Sequence, residues 1–170
     1  AGMDLVLAAM LQAGRNLPGA RQFDHSLDAD APGLDEQVEN GKKPFAGSEV
    51  AGQTLGVIGL GKVGCLVAHA AIQLGMNAMG HDPEITVDAA WSLPSQVRKA
   101  GSVAEVLRHC RFVSLHVPLL EATRHMVNAD NIGLMKPGAV LLNFSREGVV
   151  DDTAVLRALD AGPLGPYVCG

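Results

Sequence analysis

Cysteine is scarce in this 170-residue chain: Cys65, Cys110 and Cys169 stand far apart and form no C-x-x-C pair. An odd, widely spaced set points to reduced thiols rather than a disulfide framework, as expected in the cytoplasm. Basic charge is also in short supply, with 13 Lys and Arg against 18 Asp and Glu, a net charge of -5 and a pI of about 5.6. Nothing in that balance favours nucleic acid as a partner. No apolar run has the length of a membrane span, and the N-terminus lacks a basic stretch ahead of a cleavage site. A cytoplasmic protein is therefore expected, without a membrane partner. Aromatics make up only 4% of the residues, whereas hydrophobic residues reach 48% and glycines number 20. That composition suits an α/β protein with tight turns, and the length suits one domain with a sizeable core.

Strand-like and helix-like patterns alternate along most of the chain. Residues 1–14 read as a helix apolar on most sides, and 21–49 as a polar arm with a short helix around 34–40. Beyond residue 50, strands are expected at 54–59, 77–81, 112–116 and 140–144, with another beginning at 167–169. Helices are expected at 63–74, 102–109, 128–135 and 153–161. Ser102, with Glu105 three residues on, is a capping-box pattern. Asp151 and Asp152 read as the N-cap and first-turn acids of the last helix. Short apolar runs joined by helices mean a parallel sheet covered on both faces. The expected fold is a Rossmann-type doubly wound parallel sheet forming a single nucleotide-binding domain over 50–170, with residues 1–49 attached to it.

"GVIGLGKVG" supplies Gly59-x-Gly61-x-x-Gly64. Such a triplet is weak alone, since turns use glycine freely, but here a strand pattern precedes it and a helix pattern follows. Gly59 would allow the tight turn, Gly61 a close approach to a pyrophosphate, and Gly64 close packing of helix on strand. Asp82 follows 18 residues after Gly64, where a carboxylate can accept hydrogen bonds from ribose hydroxyls and repel a 2′-phosphate. NAD is therefore expected over NADP. The bland alternative is a turn aspartate before Pro83; agreement of strand, glycines and acid outweighs it.

Other candidates are weaker. None of the six histidines forms H-E-x-x-H or another metal-spaced pair, so no metal is expected. His69 and His109 read as surface or C-cap residues. His116 ends a strand, where the ligand crevice of a doubly wound sheet would lie, but a satisfied strand-end histidine is the better reading. Trp91 reads as a packing anchor rather than a lid. No G-x-S-x-G, P-loop or paired-carboxylate pattern occurs.

"LLNFSREGVV", residues 141–150, puts a guanidinium where an apolar strand ends. Together with "TLGVIGLGKVG", "GHDP", "LHVPLLEATRHMVN", "MKPGAVLLNFSREGVVDD" and "ALDAGPLGPYV", it makes the chain resemble the D-isomer-specific 2-hydroxyacid dehydrogenases. The "GKKPFAGSEVAGQTLGVIGLG" lead-in and "NFSR" are most similar to bacterial D-3-phosphoglycerate dehydrogenases. The resemblance implies hydride transfer between NAD and a 2-hydroxy or 2-oxo acid, with 3-phosphoglycerate, and hence serine biosynthesis, as the first guess. It places Lys62 and Val63 at the pyrophosphate, Val117 and Pro118 beside the adenine, and Phe144 and Ser145 near the nicotinamide. It makes Arg146 the residue that binds the substrate carboxylate. A planar fork of donors suits that task; the alternative is an arginine bridging to a surface acid such as Asp151. Glu147 stands where the family usually has a glycine, with Gly148 next. The catalytic glutamate and histidine of the family, and its substrate domain, are expected outside these 170 residues, so the chain alone should bind NAD without turnover. A homodimer is expected from the apolar first helix. The rivals are a non-catalytic NAD(H)-responsive sensor or interaction module of the same fold, and a dehydrogenase for lactate, glycerate or a related acid.

Overall fold

The computed structural model describes residues 2–15, 32–33, 36, 49–162 and 164–170. The polar arm and its short helix lie almost wholly outside that set. Six parallel strands form one sheet: β1 (Thr54–Ile58), β2 (Asn77–His81), β3 (Arg98–Lys99), β4 (Phe112–Leu115), β5 (Val140–Asn143) and β6 (Tyr167–Cys169), in the order β3-β2-β1-β4-β5-β6. The helices are α1 (Met3–Arg15), α2 (Lys62–Gln73), α3 (Val87–Ser92), α4 (Val103–His109) and α5 (Asp152–Ala161). The chain winds outward in both directions from β1, and the reversal lies between β1 and β4. The expected Rossmann-type sheet is thus present.

Period-two alternation sorts the strand residues between two cores. Leu55, Val57, Phe112, Val140 and Leu142 face α1 and α2, whereas Ile58, Val113, Leu115 and Leu141 face α4 and α5. The central strands are apolar throughout because both faces are covered, whereas both residues of β3 are exposed at the edge. Gly56 is required because α4 lies so close to β1: a Cβ there would collide with Val106 and Cys110. Helix α1 buries Val6 and Met10 completely but leaves Leu5 47% and Leu11 37% exposed.

Several helix ends follow sequence logic. Ser102 Oγ accepts from the Glu105 N–H at 3.1 Å, and Glu105 Oε2 returns to Gly101 N at 2.7 Å, one residue earlier than the usual reciprocal bond. Asp151 caps α5 by accepting from Ala154 N, and Gly162 ends it at φ 90°.

Three expectations change. Residues 128–135 form only a 3₁₀ turn at Ile132–Leu134. Asn128 and Asn131 bind nearby backbone instead of leaving it to a helix: Asn131 Oδ1 accepts from Asn128 N at 2.8 Å, Asn128 Oδ1 from Asp130 N, and Asn131 Nδ2 donates to Met126 O. Helix α3 and the two-residue β3 add to the expected elements; both are short and mostly solvent-facing, so neither carries a clear residue pattern. Trp91, expected to pack, is 86% exposed on α3.

Candidate functional site

The crevice is built where β2, β1 and β4 end together. Gly59 N donates to His81 O at 2.9 Å, and His116 N donates to Ile58 O at 2.7 Å, so the strand ends are laced before the loops begin. Gly59 turns at φ 93°, in the left-handed region, and a Cβ there would overlap the His116 carbonyl. A Cβ on Gly64 would overlap the Gly59 carbonyl, so α2 touches the turn at van der Waals range. By contrast, Gly61 faces open space. It caps α2 with no side-chain hydrogen bond, and the first turn carries no acid. The N–H groups and positive dipole end of α2 are therefore left for an anion, with Lys62 exposed beside them and Val63 half-buried. That donor set fits a dinucleotide pyrophosphate.

Asp82 joins this loop directly. Its Oδ2 accepts from Leu60 N and its Oδ1 from Glu84 N, both at 2.9 Å. One oxygen thus ties the glycine loop to the end of β2, and each retains acceptor capacity for a ribose hydroxyl. Beside it opens a cavity of about 640 Å³ whose lining includes Asp82 itself and the apolar Leu60, Ile85, Leu93 and Val97. The part played by Leu60 is invisible in the sequence, because a backbone donor leaves no residue-type signal.

His116 follows directly on β4 and is half-buried. Its Nε2 is 2.7 Å from Ser114 Oγ, and burial pushes its pKa down to about 4. It is therefore neutral at pH 7. The satisfied strand-end reading describes this geometry. Val117 lies against Gly59, half-buried, and Pro118 is exposed beside it. His69 Nε2 donates to Ser92 O at 2.8 Å, joining α2 to α3, and His109 is exposed at the end of α4.

The other end of the crevice follows β5. Asn143 is buried, its Oδ1 accepting from Ser145 N at 3.1 Å and from Ser145 Oγ at 2.8 Å. Phe144 is buried in the core on the α2 side, its ring against Gly170. Arg146 is exposed and its Nη1 donates to Ser145 O at 2.9 Å, while the Asp151 carboxylate is occupied by the α5 cap. The left-handed residue after Arg146 is Gly148, at φ 87°, so Glu147 needs no strained backbone. A cavity of about 270 Å³ is lined by Asn143, Arg146, Glu147, Asp152, Tyr167 and Cys169, with Gly170 at its edge. In it, Tyr167 Oη donates to Asp152 Oδ1 at 2.9 Å; burial and that bond raise the phenol above its usual range. Asn143 and Tyr167 join the site without having been expected there; the polar side chain closing the apolar run of β5 is the sequence signal for the first.

Among the described residues, no group of three His, Cys, Asp or Glu side chains could hold a metal, and no helix is long and apolar enough to cross a membrane. Residues 7–169 match the family model described as D-isomer specific 2-hydroxyacid dehydrogenase, NAD binding domain. D-3-phosphoglycerate dehydrogenase of Methanocaldococcus jannaschii is 37% identical over 95% of this chain and 28% of its own length. (S)-sulfolactate dehydrogenase of Chromohalobacter salexigens is 40% identical over 73% of this chain and 40% of its own length. The solved structure of D-lactate dehydrogenase from Aquifex aeolicus, complexed with NAD and lactic acid, superposes with a TM-score of 0.80 at 28% identity, covering 98% of this chain and 46% of that one. The chain thus spans well under two thirds of the length of these relatives. With a glycine loop, an acid at the end of β2 and a switch-point crevice in one sheet, it belongs to the D-isomer specific 2-hydroxyacid dehydrogenases, as their NAD-binding domain.

Proposed function

We propose that this domain holds NAD across the ends of β2, β1, β4 and β5 in an enzyme that oxidises a D-2-hydroxy acid. The observation that carries the reading is the hydrogen-bonded unit of glycine loop and Asp82, which presents free α2 N–H groups and a carboxylate to one crevice. The pyrophosphate rests on Gly61, Lys62 and Val63, and the adenosine ribose on Asp82. The adenine lies toward Val117 and Pro118. Ser145 and the backbone of Phe144 would flank the nicotinamide, the Phe144 ring itself being buried in the core. When bound, NAD supplies the redox chemistry by accepting a hydride from the substrate. Arg146 is a permanent cation and binds the substrate carboxylate; it cannot serve as the base. His116, its Nε2 bonded to Ser114 and its pKa pushed down to about 4 by burial, is too weak a base for that role.

The substrate is proposed as D-3-phosphoglycerate, supported by the relative that covers nearly all of this chain. The sulfolactate relative marks a neighbouring chemistry, so the two acids are compared in one assay. Reduction of NAD at 340 nm by the complete enzyme should be fastest with D-3-phosphoglycerate; a higher kcat/KM for another 2-hydroxy acid would replace it. Arg146→Gln should raise KM for the acid about ten-fold or more at little change in KM for NAD. An unchanged KM for the acid would remove Arg146 from the site. We also propose a homodimer, supported by the apolar side chains Leu5, Leu11 and Leu66 left exposed on α1 and α2. Monomers in light scattering at high concentration would refute it.

A further inference from the structure

We propose that Asn143 is the positioning residue of the carboxylate site, its buried amide setting the loop that carries Arg146. The proposal rests on the reading of Arg146 above. Asn143 is the last residue of β5 and only 6% exposed, in a strand otherwise made of Val140, Leu141 and Leu142. An amide in such a place is costly unless its polar atoms are bonded. Here its side-chain bonds go to the following loop. Oδ1 accepts twice from Ser145, through N and Oγ, and Nδ2 donates to Arg146 O at 3.4 Å. Ser145 O in turn accepts from Arg146 Nη1. The guanidinium therefore reaches back onto a turn whose shape is dictated by an amide in the core.

The far end of the loop is pinned separately. Gly148 O accepts from His125 N at 2.8 Å, and Leu119 lies against Gly148. With both ends held, the one freedom left to the exposed Arg146 is its own side chain, and the Ser145 carbonyl restrains part of that. An arginine so restrained loses less entropy when it grips a carboxylate. Removal of Asn143 would leave the charge in place and release its bearing.

Steady-state kinetics of the complete enzyme tests this. Asn143→Ala should raise KM for the 2-oxo acid about ten-fold while KM for NADH moves less than about two-fold. Asn143→Leu fills a similar volume without the bonds; it should behave as the alanine variant does and serves if that variant does not fold. In an Arg146→Gln background, Asn143→Ala should add little, because the residue it positions is gone. Equal rises in both KM values, or a fully additive loss in the double variant, would overturn the proposal. The two readings separate cleanly: an Arg146→Gln enzyme with unchanged KM for the acid defeats the carboxylate site itself. A raised KM in Arg146→Gln but not in Asn143→Ala or Asn143→Leu defeats only the positioning role.

Discussion

The two ends of the crevice are held in shape by different means. Where β1, β2 and β4 end, the holding falls mostly on the backbone: Gly59 against His116 and Gly64 against Gly59, with the Asp82 carboxylate on the Leu60 N–H. Beyond the end of β5, side chains do the holding: Asn143 on Ser145, Tyr167 on Asp152, and an exposed Arg146. Backbone contacts at van der Waals range tolerate no added atom, so the first end is written in glycines. Side-chain bonds can be rebuilt with other residues, so the second end is open to variation.

The largest expected break of this contrast is Gly64→Val. Its side chain must displace the Gly59 carbonyl, so stability should fall by about 3 kcal/mol or more in urea unfolding, with NADH binding lost in calorimetric titration. No single change in the Ser145–Gly148 loop should cost as much stability.

Next in size is a pH effect at the boundary of the two ends. His116 has its pKa lowered from 6.5 to about 4 by burial. Between those values the unfolded chain binds a proton that the folded chain does not, so stability rises with pH across the window. Acidification from pH 7 to 4 should therefore remove about 3 kcal/mol through this residue, fully present above pH 6.5 and lost on the way down. Urea melts at several pH values check it, and His116→Gln should flatten the slope over pH 4–6.5.

Asp82→Ala should weaken NADH binding about ten-fold and narrow the gap between NADH and NADPH, because it removes both the ribose acceptor and the repulsion of a 2′-phosphate. Asp82→Asn sharpens the point: its one amide oxygen can still accept from Leu60 N while the bond from Glu84 N and the charge are lost, so the tie to the glycine loop should survive and the discrimination should not. Equal affinities for NADH and NADPH in the unaltered chain would remove Asp82 from this role. The smallest effect is expected from Tyr167→Phe. Its hydroxyl bond to Asp152 is exposed, and its loss should cost under about 1 kcal/mol in the same melts.

The glycine loop is legible in the residue pattern because strand, glycines and helix follow one another in a single short stretch, with Gly59 turning in the left-handed region and Gly64 packed on Gly59. The central strands are legible for a related reason: two-sided burial makes them continuously apolar. Residues 128–135 mislead as a helix because two asparagines bind the backbone in a pattern that composition does not reveal. Edge strand β3 escapes notice because two exposed residues carry no periodicity. Trp91 resembles core because of its size, and only its place on the outer face of α3 decides otherwise.

By itself, the sequence determined the alternation of strands and helices, the turn at Gly59, the acid at Asp82 and an arginine after β5, all consequences of residues near one another in the chain. Tertiary structure alone decided what meets across it. Parallel registry aligns Ile58 with His81 on one side and with Leu115 on the other, which brings Leu60 onto Asp82 and the His116 carbonyl against Gly59. Registry of β5 with β6 likewise aligns Asn143 with Cys169, closing the pocket around Arg146. Such contacts span from about twenty to sixty residues of chain and depend on loop closure and on the pairing of whole strands, for which a local residue pattern holds no record.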